Sequence, residues 1–224
     1  FSEDAIVSLN AVWDDRYERR GFVLEQPMDL QVYAFGEAVH DDAYDYGWII
    51  DTKTREKVWN LNYRDSEPAG GARKNRMVNQ VISLPAGSYA AFFVTDDSHS
   101  HGKWNSPPPY DPTYWGLTIR AKDSARRQYA KTVEYEEVAA KNVIVELTRM
   151  RDDDMRSTGF ALKRSMNVRV YALGEGRDGE MFDYGWIVDA KTHKKIWEMD
   201  YNQTEHAGGA SKNRVFDSTV KLDK

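Results

Sequence analysis

The residue types most able to bind a metal ion cluster in one loop-like stretch of the sequence. Carboxylates grouped at strand ends can provide the roughly six to eight oxygen ligands that Ca²⁺ prefers, and histidines suit a transition metal. The candidate ligands are Asp96, Asp97, His99, His101 and Asp111. Their spacing matches neither an EF-hand nor a His-Glu-x-x-His motif. The favoured interpretation is therefore a tight loop without a cofactor, in which these side chains hydrogen-bond the backbone; a Ca²⁺ site is the alternative.

A second candidate is a glycine-rich stretch that occurs twice, at residues 69–76 and 207–214, with the pattern Ala-Gly-Gly-Ala-x-Lys-Asn-Arg. Adjacent glycines can free backbone N–H groups, and Lys and Arg add positive charge, so such a loop could hold an anion. The candidate anion-binding residues are Gly70, Gly71, Lys74, Arg76, Gly208, Gly209, Lys212 and Arg214. It is not a Walker-type phosphate loop. The favoured alternative is an ordered loop whose glycines adopt positive φ and whose cations pair with Glu67 or Asp45.

Four tryptophans recur in pairs, Trp48 with Trp186 and Trp59 with Trp197. Exposed tryptophans can bind sugars by stacking. These alternate with aliphatic residues, however, as residues of a β-sheet core do. The sequence therefore predicts that they are buried.

No catalytic set emerges from the remaining polar residues. Asp45 and Asp51 lie at the ends of one short predicted strand, and turn capping explains both. None of the five histidines has a counterpart at the comparable position of the other copy described below. The sequence therefore predicts a protein without enzymatic activity.

Composition excludes several classes of function. The 224 residues include 36 acidic and 31 basic side chains, giving a net charge of -5, so nucleic-acid binding driven by overall charge is not expected. Cysteine is absent, which excludes disulfides, zinc-thiolate sites and cysteine nucleophiles. No apolar run approaches the roughly 20 residues of a transmembrane helix, so no membrane span is predicted.

The sequence repeats itself at an offset of 138 residues. Residues 21–24 (Gly-Phe-Val-Leu) return at 159–162 (Gly-Phe-Ala-Leu), and residues 45–49 (Asp-Tyr-Gly-Trp-Ile) return unchanged at 183–187. The glycine-rich stretches fall at the same offset. A period of this length is too long for a solenoid unit. We interpret it as a tandem duplication of a whole domain.

The repeat divides the chain into a first domain at 1–120, a connector at 121–142 and a second domain at 143–224. In the connector, a short helix capped by Ser124 and a strand at 132–136 are both open alternatives. The second domain stops after the counterpart of Leu84. We therefore expect that the polypeptide continues beyond Lys224 and that its front edge is also cut, the alternative being that a neighbouring subunit supplies the missing strands.

Period-two alternation of apolar and polar residues dominates each copy. It predicts seven or eight short strands, including a hairpin of residues 46–50 and 57–62 whose turn is stabilised by Asp51. The predicted fold is all-β, with tandem antiparallel β-sandwiches that are immunoglobulin-like or jelly-roll-like, the second of them incomplete.

The turn at residues 85–89 (Pro-Ala-Gly-Ser-Tyr) leads into an aromatic strand and resembles the end of bacterial pre-peptidase C-terminal domains and other small secreted β-sandwich accessory domains. The hairpin containing Trp48 and Trp59 is similar to hairpins of such domains. This resemblance implies a non-catalytic module of an exported bacterial protein, located in the periplasm, at the cell surface or outside the cell.

Two functions follow as expectations. The first is a structural or interaction module, for example of a surface or fibre assembly, whose partners are proteins, including copies of itself joined through sheet edges. The alternative is a carbohydrate- or calcium-binding accessory module attached to a secreted enzyme.

Overall fold

The computed structural model describes residues 4–40, 42–135 and 143–224. The chain forms two compact units, Phe1–Val138 and Ala139–Lys224. Both are built from antiparallel β-strands joined by loops and a few short 3-10 helices, so the all-β prediction is confirmed. Among the described residues, no helix is long and apolar enough to span a membrane.

The described residues of the first unit form ten strands. They are β1 (Ala5–Leu9), β2 (Tyr17–Leu24), β3 (Met28–Val39), β4 (Asp42–Asp51), β5 (Lys57–Asn60), β6 (Glu67–Pro68), β7 (Asn75–Leu84), β8 (Gly87–Val94), β9 (Gly116–Ala121) and β10 (Ala130–Val133). Short 3-10 helices cover Pro112–Tyr114 and Ser124–Tyr129.

These ten strands form one curved sheet in the order β1-β9-β3-β4-β8-β2-β10. Beside this path, β5 pairs with β4, β7 pairs with β3, and β6 pairs with β7. The two ends of the path meet, because the Thr132 hydroxyl on β10 donates a hydrogen bond to the Ile6 carbonyl on β1 at 2.6 Å. The sheet is therefore nearly closed, like a barrel.

The core of the first unit lies inside this curved sheet. Along β3 the alternate residues Leu30, Val32 and Ala34 are fully buried, which is the period-two pattern read from the sequence. Phe93 on β8 and Trp115, just before β9, are also fully buried. Each large apolar side chain buried in this way contributes about 1.5–3 kcal/mol of stability.

A bulge brings β3 and β4 unusually close together. The register shifts between Glu37 and Ala38, and a Cβ added to Gly36 would lie 2.1 Å from the Asp45 carbonyl oxygen. Only glycine tolerates this approach. The bulge places the Glu37 side chain opposite Asp45, and both residues belong to the site described below.

The predicted connector, residues 121–142, contains regular secondary structure. Asp123, not Ser124, caps the short 3-10 helix, because its side chain accepts a hydrogen bond from the Ala125 amide at 3.0 Å. The strand β10 follows and pairs with β2. The first unit therefore extends past residue 120, and residues 136–142 of the connector lie outside the described residues.

In the second unit, residues 143–224 form six strands in two small sheets. They are β11 (Met166–Arg177), β12 (Glu180–Asp183), β13 (Trp186–Val188), β14 (Lys195–Glu198), β15 (Glu205–His206) and β16 (Asn213–Leu222). One sheet has the order β12-β11-β16-β15, and the other is the β13-β14 hairpin. A 3-10 helix covers Tyr201–Gln203.

Strands of the first unit recur in the second unit at the 138-residue offset of the sequence repeat. β11, β14, β15 and β16 have the bounds of β3, β5, β6 and β7 shifted by 138 residues, and β12 and β13 lie within the shifted range of β4. The bulge recurs as well: a Cβ on Gly174 would lie 2.0 Å from the Asp183 carbonyl oxygen.

The counterparts of β1 and β2 form no strand in the described residues 143–165. In the first unit, β1 pairs with β9, and β2 pairs with β8 and β10. The positions that would correspond to β8 and β9 fall after Lys224. In the first unit these pairings satisfy the backbone groups of β1 and β2.

Candidate functional site

Two of the loops singled out from the sequence meet in the first unit and form a buried polar cluster. The Ala72 amide donates to the Pro107 carbonyl at 2.9 Å, and the Tyr110 amide donates to the Ala69 carbonyl at 2.9 Å. The glycine-rich loop and the loop after β8 therefore hold each other in place. We define the cluster by the side chains of Glu37, Asp45, Lys74, Asn75, Asp96, His99 and Trp115.

Asn75 is the centre of the cluster and is fully buried. Its amide nitrogen donates to the carbonyl oxygens of Gly70 at 2.9 Å and Pro107 at 3.0 Å. These bonds turn the Asn75 Oδ1 toward His99 Nε2, 2.6 Å away. Because an amide oxygen only accepts, the Nε2 of His99 carries a hydrogen.

Both ring nitrogens and the ring of His99 contact neighbouring side chains. It is fully buried, its Nδ1 lies 2.9 Å from Asn105 Oδ1, and its ring packs edge-on against Trp104 and Trp115, with centroid distances of 5.0 and 5.6 Å. Burial, together with the positive charge of Lys74, lowers its pKa. Through these contacts His99 anchors its loop to the glycine-rich loop.

Asp45 was expected to cap a turn, and this is wrong. It lies within β4 and is fully buried, where its two oxygens accept hydrogen bonds from Trp115 Nε1 and from the Asp96 amide, each at 2.9 Å. Burial raises its pKa to about 8, and the charges of Asp96 and Glu37 act in the same direction. Asp51 does stabilise its turn, accepting from the amides of Lys53 and Thr54.

The cations of the glycine-rich loop are engaged by the fold, but with partners other than Glu67 or Asp45. Lys74 Nζ lies 3.0 Å from Glu37 Oε1, and both side chains are largely buried. Burial raises the pKa of Glu37, which Lys74 partly offsets. Arg76 donates through Nε to the Ser66 hydroxyl at 3.0 Å and lies over the Tyr63 ring at 4.3 Å.

The glycines of both copies of this loop adopt the positive φ that the sequence predicts. The angles are 76° and 66° at Gly70 and Gly71, and 81° and 70° at Gly208 and Gly209. In the second unit Lys212 pairs with Glu175 at 2.8 Å, and Arg214 donates to Thr204 Oγ1 at 2.8 Å. The cations of the repeated loop thus make the same contacts twice.

The candidate metal ligands do not converge. Asp97 is exposed, the His101 Nδ1 lies 3.0 Å from the Pro112 carbonyl oxygen, and Asp111 accepts a hydrogen bond from the Tyr33 hydroxyl at 3.1 Å. Asp96 Oδ1 accepts from the Ser98 amide at 3.0 Å. Within the described residues, no group of three or more His, Cys, Asp or Glu side chains is arranged to hold a metal ion.

The tryptophan pairs differ between the units. Trp48 and Trp59 are 8% and 6% exposed, so the core prediction is confirmed for them. Trp186 is 45% exposed, and for this residue the prediction is wrong. The ring of Trp48 stacks on Phe92 of β8 at 5.1 Å, and no such strand covers Trp186 within the described residues.

Sequence reasoning missed Glu37 as a partner of Lys74. The signal was available, because Glu37 and Glu175 are identical at the 138-residue offset, as Lys74 and Lys212 are. Trp115 gave no such signal, since its counterpart falls after Lys224.

Comparisons with protein-family models, with curated proteins and with solved structures find no match. The resemblance to pre-peptidase C-terminal domains therefore stays a prediction.

The buried carboxyl group of Asp45 predicts a pH-dependent stability. With a folded pKa of about 8 and an unfolded pKa of about 3.9, Asp45 takes up a proton on folding between these values. Its contribution to the free energy of unfolding therefore falls as pH rises through this range, by at most about 1.4 kcal/mol per pH unit.

Urea unfolding followed by near-ultraviolet circular dichroism at pH 5, 6, 7 and 8 measures this effect. The Asp45→Asn variant should lose part of the wild-type slope. Its counterpart Asp183 is exposed, so Asp183→Asn is the matched control and should keep the wild-type slope. Equal slopes in all three proteins would contradict the assignment.

Proposed function

We propose that this chain is a non-catalytic structural and interaction module of an exported bacterial protein, built from two copies of one β-sandwich domain. It binds other polypeptides, including copies of itself, through the sheets of the second unit. The recurrence of strand bounds, bulge and loop contacts at one offset supports the duplication. The resemblance of the turn at residues 85–89 supports the exported location.

The polar and ionisable side chains of the buried cluster support a structural role. His99, Asn75 and Asp45 are fully buried and use their polar atoms to join loops and strands. Lys74 forms an ion pair with Glu37, and Arg76 donates a hydrogen bond to Ser66. These hydrogen bonds and the ion pair stabilise one arrangement of the loops, because removal of either partner would leave a buried polar group unpaired.

One observation carries the proposal: apolar side chains that are buried in the first unit are exposed in the second. The exposed fraction rises from 8% at Trp48 to 45% at Trp186, and from fully buried Phe35 to 62% at Leu173. Tyr184 and Met166 are exposed in the same way, although their counterparts are buried. Exposed apolar side chains can pack against a partner polypeptide, and open strand edges invite pairing.

Sedimentation velocity over a range of protein concentrations tests this proposal. The average mass of the wild-type chain should rise with concentration, and a Leu173→Lys/Trp186→Lys double variant should sediment as a monomer over the same range. Both side chains are exposed, so these changes spare the folded units.

The matched control places the same charges on exposed residues of the first unit. Trp13 and Tyr110 are 54% and 61% exposed, and a Trp13→Lys/Tyr110→Lys variant should associate like the wild type. A wild-type chain that stays monomeric up to its solubility limit would refute association through the second unit.

A further inference from the structure

An aromatic surface lies on the outside of the first unit. Tyr33 follows the core residue Val32 on β3 and therefore faces away from the core. Its hydroxyl donates to Asp111 Oδ2 at 3.1 Å, and Tyr110, next to Asp111 in the chain, is 61% exposed. We define the tyrosine platform by Tyr33, Tyr110, Asp111 and Tyr114. We infer that this platform binds a neutral carbohydrate, a function that goes beyond the proposed one and does not depend on it.

One buried ring supports the tyrosine platform from below. Phe35 is fully buried, and the rings of Tyr33 and Tyr110 both pack edge-on against it, with centroid distances of 5.1 and 5.4 Å. Tyr33 also packs edge-on against Tyr114 at 5.5 Å. Tyr110 is therefore held in place by its packing although most of its surface is exposed. An aromatic ring fixed in this way can pack against the apolar face of a sugar ring with little further loss of side-chain entropy.

The backbone that carries Tyr110 and Asp111 is restricted as well. Four of the six residues at 107–112 are proline, and a proline limits both its own φ and the conformation of the residue before it. The Tyr110 amide donates to the Ala69 carbonyl at 2.9 Å, and Asn75 Nδ2 donates to the Pro107 carbonyl at 3.0 Å. The segment is thus tied to the glycine-rich loop at two points, so the tyrosine platform is formed before a ligand binds.

Hydrogen-bonding side chains adjoin the tyrosine platform on the same face of the sheet. Asn79 is exposed and lies directly opposite Tyr33 in the pairing of β3 with β7, so the two side chains are neighbours. Gln31 Nε2 donates to Asn79 Oδ1 at 2.8 Å, which directs the Asn79 Nδ2 donor away from Gln31. The Asp111 carboxylate adds acceptors with several lone pairs. Acceptors and donors beside an aromatic ring match the hydroxyl groups that surround the apolar face of a sugar.

The charge of the tyrosine platform favours a neutral ligand. Burial, the hydrogen bond to Asp111 and the proximity of Tyr110 all raise the pKa of Tyr33, so its hydroxyl stays protonated and donates. The carboxylate of Asp111 is then the charged group of the platform, and it would repel the carboxylates of uronic acids. We therefore expect a glycan of neutral sugars.

Binding to oligosaccharides of known composition tests the inference. On a microarray that carries oligomers of glucose, xylose, mannose and galacturonic acid, the full chain should bind at least one neutral oligomer and not the galacturonic acid oligomer. Isothermal titration calorimetry with the neutral oligomer that binds most strongly then measures the affinity. Tyr110→Ala should weaken this affinity by about tenfold or more, whereas Tyr110→Phe keeps the ring and should bind like the wild type.

A second substitution tests the role of the carboxylate. Asp111→Asn removes the charge but keeps an oxygen that can accept from the Tyr33 hydroxyl. It should weaken binding of the neutral oligomer by roughly tenfold and raise the affinity for the galacturonic acid oligomer above that of the wild type. Tyr129→Ala is the matched control, because Tyr129 is a tyrosine of the first unit that is 39% exposed at the end of a 3-10 helix, outside the platform. This variant should bind like the wild type.

Three results would overturn the inference. The first is an array on which no neutral oligomer binds, and the second is equal affinity of the Tyr110→Ala and Tyr129→Ala variants. The third is binding of a polyproline peptide in place of the oligosaccharides, because clustered tyrosines also pack against proline rings. None of these results touches the proposed function, since Tyr110→Ala should self-associate like the wild type.

Discussion

Trp115→Ala should destabilise the first unit by about 3–5 kcal/mol, as expected for a large aromatic side chain removed from a packed core. Trp115 is fully buried, packs edge-on against His99 and Trp104, and donates its indole N–H to Asp45. Its loss leaves a cavity and a buried carboxyl group with one partner fewer. Urea unfolding followed by near-ultraviolet circular dichroism would measure the change.

Two further variants separate volume from hydrogen bonding. Trp115→Phe keeps most of the ring but not the N–H group, and the lost hydrogen bond alone should cost about 1–3 kcal/mol. Trp186→Ala is the control, because Trp186 is 45% exposed, and it should change stability by about 1 kcal/mol or less. A Trp115→Ala protein as stable as Trp186→Ala would contradict the role given to the buried cluster.

Gly71→Ala should be the most disruptive single change in the glycine-rich loop. A Cβ at this position would lie 2.0 Å from the Pro108 carbonyl oxygen and 2.5 Å from that of Pro107. Backbone atoms cannot move aside without breaking the contact between the two loops. We expect a loss of about 4 kcal/mol or more, the range reserved for overpacking and strain in a fixed backbone.

The second copy supplies a matched control for Gly71. Gly209 has nearly the same φ, 70° against 66°, but a Cβ there meets only the side-chain nitrogen of Asn213, at 3.0 Å. Gly209→Ala should therefore cost only the left-handed backbone penalty, about 1–2 kcal/mol. Thermal unfolding of both variants tests the difference, and equal losses would show that backbone strain, not loop contact, dominates at Gly71.

Several elements of the fold could be predicted from the sequence because their signals are local. The β4–β5 hairpin follows from alternation and a polar turn, and the structure pairs Trp48 with Asn60 and satisfies the turn through Asp51 as predicted. The strand β2 carries a weaker local signal. It begins with three successive exposed or charged residues at 17–19, and its pairing with β8 and β10, not its own pattern, makes it a strand.

The candidate site was only half predictable. The glycine-rich loop and the loop after β8 could each be picked out by composition. Their contact could not, because Asn75 and His99 lie 24 positions apart in the chain and no local pattern specifies such a pair. The polar atoms of one loop satisfy those of the other, which the composition of neither loop indicates.

Residues 45–49 and 183–187 show that local sequence does not determine the burial of a side chain. The five residues are identical, and in both units the tryptophan pairs with the neighbouring strand of its hairpin. Sequence by itself determined the repeat, the hairpins, and the glycines with positive φ. Tertiary structure alone decided that Trp48 is core, because its burial depends on β8, a strand some forty residues further along the chain.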